Sequence, residues 1–299
     1  MKRILAIVLC LFCLCSCGTN KPSQNDKLEI VTTIFPIYDF VRAVGGEEVS
    51  ITLLIDPGTE VHSFDPKPSD IKAIYNSDLF IYTGGESDEW VNRILGDKQL
   101  DTLKMMEYVD TLDEHKHSHE HGHDEHIWTS AENAILMLEG ICKALVEKDP
   151  KNAEGYKGRC QSYIDKIEVV NSQIKDVVNS SKEKFILVAD RFPFIYFTEL
   201  YGIEYEAAFG GCAVSTDISI KTMSRLVETC RQRNLAYAYY TELSNKNIAN
   251  ALAAQTGIKL LELHSAHNVT LEDFNNGITY VDIMRRNIEA LKEGMNGCP

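Results

Sequence analysis

The sequence predicts an α/β protein of two lobes, each a four-stranded mainly parallel sheet flanked by helices, joined by one long rigid helix. Three observations carry this expectation. Short apolar, β-rich runs alternate with helical patterns four times before residue 110 and four times after residue 184, the pattern of a parallel sheet covered on both faces. Between the two sets lies one unusually long apolar stripe of helical period. With 299 residues, 44% of them hydrophobic, the chain can bury one large core or two smaller ones.

At the N-terminus, Lys2 and Arg3 precede an apolar run from Ile4 to Leu14. It is too short to span a bilayer and has the build of an export signal. Leu14-Cys15-Ser16-Cys17 resembles a bacterial lipobox, which implies cleavage after residue 16 and lipidation of Cys17. Residues 17–27 then form a polar tether, and the chain is expected to be extracytoplasmic and lipid-anchored to a bacterial membrane, at the cell surface or in the periplasm. Cys142, Cys160, Cys212, Cys230 and Cys298 remain in the mature chain. Outside the cytoplasm, Cys142–Cys160 and Cys212–Cys230 are the pairings nearest in sequence. The net charge of −14 argues against nucleic acid and anionic lipid surfaces as partners.

The N-terminal lobe, 28–148, reads as strands at Leu28–Ile34, Val49–Ile55, Leu79–Thr83 and Leu103–Val109. Helices are expected over Pro36–Val44, closed by Gly45-Gly46, then Ser69–Tyr75 and Asp88–Leu95. Thr129 and Glu132 have the spacing of a capping box opening a helix to about Glu147. Asp149-Pro150 starts the linking helix of 149–180, whose stripe is Tyr156, Cys160, Tyr163, Ile167, Val170, Ile174 and Val177. At 1.5 Å per residue it would be about 45 Å long. The C-terminal lobe, 181–299, repeats the scheme, with strands at Phe185–Ala189, Tyr205–Phe209, Ala236–Thr241 and Lys259–Leu263. Its helices fall near Ile195–Tyr201, Ile218–Arg231, Asn245–Gln255 and Leu271–Lys292.

The histidines are placed unevenly. Residues 114–126 hold six of the nine: His115, His117, His119, His121, His123 and His126. The first five alternate with polar residues, as in a loop that collects metal ions at weak, exchangeable sites. His126 is followed at once by Ile127, Trp128 and a helix start, which anchors it to the fold. His62 follows the second strand, and His264 ends the last. In open parallel sheets ligands bind outside the carboxyl ends of strands, so His62, His126 and His264 share one topological address. Three imidazoles suit Zn²⁺, with a fourth place left for water or another residue; Mn²⁺, which prefers oxygen, suits them less. Glu60, Glu242 and His267, each near a strand end, are candidates for that fourth place or for orienting the ligands.

Several segments, VTTIFPIYDFVRAVGG, DPGTEVHSFDPKPSD and DEHIWTSAENA with the histidine-rich loop before it, resemble the metal-binding subunits of bacterial zinc and manganese ABC importers. The resemblance runs from Ile30 to about Leu291 and extends to YYTELSNKNIANALAAQTGIK and EDFNNGITYVDIMRRNIEAL. It implies a monomeric binding protein holding one metal ion between two lobes and delivering it to a membrane permease with a cytosolic ATPase. It also carries His62 and His126 onto the family's first two ligands and His264 onto its last, usually an aspartate. The third family position, a histidine or glutamate, falls on Arg191, whose guanidinium cannot coordinate a cation; pairing with a nearby carboxylate is its expected role. Deleting Glu114–Glu125 is expected to slow zinc loading and spare the tight site. A zinc-dependent hydrolase is the alternative of another class, but the chain has no H-E-x-x-H helix and no nucleophile turn. A surface adhesin or extracellular zinc buffer is a third.

Overall fold

The computed structural model describes residues 27–96, 99–113, 123–211 and 218–296. The first sheet consists of β1 (Leu28–Thr32), β2 (Val49–Leu53), β3 (Leu79–Tyr82) and β4 (Thr102–Lys104). Between them run α1 (Phe35–Gly45), α2 (Pro68–Asn76) and α3 (Glu89–Leu95). All pairings are parallel, in the order β2-β1-β3-β4. β3 (LFIY) is buried at every position, as a central strand covered on both faces must be. The fourth strand is shorter than the sequence suggests, because Met105–Tyr108 turns into a 3₁₀ helix.

Next come α4 (Ala131–Lys148) and α5 (Ala153–Ser180). The cap of α4 is Ser130, whose hydroxyl accepts the Asn133 amide, rather than Thr129. Thr129 belongs to a 3₁₀ turn, Ile127–Thr129, and its hydroxyl donates to the His126 carbonyl at 2.8 Å. α5 begins at Ala153, after a 3₁₀ turn at Pro150–Asn152, and its 28 residues span about 42 Å. The seven stripe residues are all buried. They pack against α1 and α4 on one side and the C-terminal lobe on the other.

The second sheet repeats the first: β5 (Phe185–Val188), β6 (Glu204–Ala207), β7 (Tyr237–Tyr240) and β8 (Lys259–Glu262), parallel in the order β6-β5-β7-β8. Its helices are α6 (Ile195–Tyr201), α7 (Ile220–Gln232) and α8 (Asn247–Thr256). The expected last helix is two, α9 (Leu271–Asn275) and α10 (Tyr280–Asn296), broken where Gly277 takes φ +73°. α10 returns to pack along α5.

One hydrophobic core runs from Ile30 and Phe40 through the α5 stripe to Ile186 and Leu291, so the lobes share an interior. Polar ties cross the same seam. Asn268 donates to the Asp56 and Thr59 carbonyls at 3.0 and 2.9 Å. Trp128 Nε1 donates to Ser265 O at 2.8 Å, and Asp39 accepts the Tyr280 amide at 2.7 Å. Cys142, Cys160 and Cys230 are buried free thiols, so the Cys142–Cys160 bridge is not formed; Cys212, Cys298 and Cys17 lie outside the described residues. Among the described residues no helix is long and apolar enough to cross a membrane.

Candidate metal centre

The equal strand order of the two sheets has a geometric consequence. Loops following β2, β5, β7 and β8, with the segment after β4, line one cavity of about 380 Å³ at the seam. Three histidines, His62, His126 and His267, offer ligand nitrogens all within 4.8 Å of one another there. Their ring centroids are 5.1 to 5.9 Å apart.

His126 is fully buried. Asp124 accepts its amide at 2.9 Å and sits 3.2 Å from its Nδ1, the carboxylate–imidazole arrangement that orients metal-binding histidines. Its Nε2 is buried with no partner among the described residues. A buried imidazole nitrogen left unmade is costly, and a cation would satisfy it. Burial alone would lower the pKa of His126, but Asp124 beside it outweighs that and raises it. Gly211 makes this approach possible: a Cβ there would lie 3.0 Å from the His126 ring and 3.2 Å from Asp124.

His62 comes from the turn after β2. Its Nδ1 meets Ser87 Oγ at 3.0 Å, and Ser87 is in turn held by Glu125 through both its amide and hydroxyl. Burial, with His126 nearby, pushes its pKa down to about 4. His267 is well below the usual imidazole range for the same reasons. Its ring lies against Trp128, centroids 4.8 Å apart, and its amide donates to Glu242 at 3.2 Å. At neutral pH both rings are unprotonated, the form that binds metal.

The structure brings His267, and not the expected His264, beside His62 and His126. His264 is buried but turned away from the cavity: its Nδ1 accepts the Ala266 amide at 2.9 Å, and its backbone is clasped on both sides by Asn287. Ala266, at φ +63°, reverses the loop and delivers His267 in its place. Glu242 accepts the amide and hydroxyl of Ser265, which fixes that loop. Arg191 lines the cavity and donates from Nη1 to Glu60 Oε2 at 2.9 Å. Glu60 Oε1 accepts the His62 amide at 3.3 Å. Burial would raise the Glu60 pKa, but Arg191 outweighs it and the carboxyl is held below its usual range.

His123 is exposed and pairs with Asp113 at 3.1 Å; His115, His117, His119 and His121 lie outside the described residues. The sequence reading missed Asp124, Glu125 and Ser87. The first two had a signal, since an Asp-Glu pair directly precedes His126. Both are buried supports of the histidines, so a deletion reaching Glu125 would damage the cluster as well as the loop.

Residues 30–294 match the ZnuA family, described as zinc-uptake complex component A, periplasmic. The chain is similar to the zinc-binding lipoprotein AdcA of Streptococcus pneumoniae, at 29% identity over 98% of this chain and 61% of that protein. It thus spans about three-fifths of that relative's length. It is also similar to the high-affinity zinc uptake system protein ZnuA of Bacillus subtilis, at 26% identity over 98% of this chain and 97% of that one. The crystal structure of Zn(II)-bound AdcA from Streptococcus pneumoniae superposes with a TM-score of 0.77 at 28% identity, over 90% of this chain and 58% of that one. By its extended match to the family, its paired parallel sheets and its strut, this chain belongs to the ZnuA family.

Proposed function

We propose that this protein captures Zn²⁺ outside the cytoplasm and delivers it to a membrane permease powered by a cytosolic ATPase. The observation that carries the reading is the convergence of three imidazoles at the seam, with the His126 Nε2 buried and unpaired among the described residues. Three imidazole nitrogens suit zinc better than manganese, and the zinc-bound AdcA structure supports the same ion. Ligands drawn from both lobes tie the ion to their relative position, and the shared core limits any change to a small one. A lipid on Cys17 would keep the protein, as a monomer, beside its permease; a single acyl chain binds membrane only marginally, so stable anchoring uses more than one.

The test is direct. Purified protein should bind one Zn²⁺ in competition with a chromophoric chelator, and substitution of His62, His126 or His267 should abolish tight binding, whereas His264→Ala should leave the ligand set intact. Equal affinity after replacing all three would remove the reading. The accessory role of the loop is tested by deleting residues 114–122 only. Uptake from chelated medium should slow while the purified protein keeps its affinity.

A further inference from the structure

A histidine that binds metal needs its ring aimed as well as its backbone placed, and the three rings are aimed by different means. His126 has Asp124 at 3.2 Å, and His62 has Ser87 at 3.0 Å. Among the described residues no such side chain holds the ring of His267. Its hydrogen bonds run instead from the backbone amide, to Glu242 Oε1 and Ser265 Oγ, both at 3.2 Å. We infer that Trp128 is the positioning residue for His267: an indole of the N-terminal lobe sets the angle of the ligand that the C-terminal lobe supplies. This rests on the zinc reading above.

Trp128 is fully buried and is held by the opposite lobe at two points. Its Nε1 donates to Ser265 O, two residues before His267, and its own carbonyl accepts the Tyr280 hydroxyl, both at 2.8 Å. The Tyr280 amide is bound in turn by the buried carboxylate of Asp39. Fixed in this way, the indole lies against His267 with centroids 4.8 Å apart and planes inclined at 52°, within the range of a ring contact. The terminal torsion of a histidine is broad and leaves the ring angle unset, so a rigid wall on one side narrows it. The same indole is 5.4 Å from His126, and one group thus spaces two ligand rings that are 5.1 Å apart. Without the indole His126 keeps Asp124, whereas His267 keeps its backbone bonds and loses its ring angle.

A double-mutant cycle on the full chain tests this, with zinc affinity read by competition against chelators of graded strength. Circular dichroism of the metal-free protein checks folding. Trp128→Phe removes the donor and shortens the wall, and should weaken zinc about tenfold. In a His267→Ala background the same change should cost less than about twofold of the residual affinity, because Trp128 acts through His267. The visible bands of Co²⁺-loaded Trp128→Phe should shift toward those of His267→Ala, which lost stability alone would not produce. Tyr280→Phe deletes only the hydroxyl that holds the Trp128 carbonyl, and it decides the matter if Trp128→Phe does not fold. It should cost about threefold, again only where His267 is present. Native affinity in the folded variants, an equal loss with and without His267, or Co²⁺ bands unmoved by Trp128→Phe would each overturn the inference. A native protein that fails to bind zinc would instead overturn the function on which it rests.

Discussion

The two lobes share a topology but prepare their halves of the centre differently. The N-terminal lobe supplies two histidines backed by acids: Asp124 directly behind His126, and Glu125 behind His62 through Ser87. The C-terminal lobe supplies one histidine held by packing and a backbone bond, together with an arginine. The first half is set electrostatically before an ion arrives. The second is set by the path of a loop, and its one charged group beside the cluster, Arg191, is held in an ion pair with Glu60. Equivalent strand ends therefore fix where a ligand can stand, not how strongly it is prepared.

Five experiments break or sharpen this comparison. His126→Ala should have the largest effect, weakening zinc by more than the roughly 100-fold upper end typical of losing an orienting partner; chelator competition measures it. Asp124→Asn keeps the shape and removes the charge, and should cost about 10- to 100-fold. Glu242→Gln on the opposite side should cost less, because it acts on backbone; equal losses would erase the contrast.

The pH dependence follows from the same asymmetry. Burial pushes the His62 pKa down to about 4 and holds that of His267 well below the usual imidazole range, so the neutral, metal-binding form is favoured in both. His126 is shifted upward and must release a proton to bind. Affinity should therefore fall with falling pH by about one decade per unit, where three ordinary imidazoles would approach three. Titrations at several pH values give the slope. Arg191→His should add a nitrogen from the C-terminal lobe and tighten zinc by about tenfold. Unchanged affinity would mean that residue 191 cannot reach the ion.

Much of this was legible in the sequence, for identifiable reasons. Strand positions followed from buried β-rich runs such as LFIY, and the strut from a stripe that all proved buried. The strand-end rule placed His62 and His126 beside the cavity. It failed between His264 and His267, because the choice depends on a positive φ at Ala266, a residue with no local preference for that conformation. The helix break at Gly277 and the capping by Ser130 rather than Thr129 turned on similar single-residue detail. The supports Asp124 and Glu125 were hidden for another reason: an acidic pair at the end of a polar loop reads as solvated until the fold buries it.

The shared core has a consequence for how the protein opens. Each sheet has an apolar cluster of its own, around Phe80 and Trp90 in one lobe and Leu187 and Leu226 in the other, but the largest cluster is continuous from Ile30 through α5 to Leu291 and ties the two together. Slowly exchanging amides in β3 and β5 should therefore report the same opening free energy by hydrogen exchange, as one cooperative unit. An ion held at the seam should slow exchange in both sheets by the same factor, set by its concentration relative to its dissociation constant.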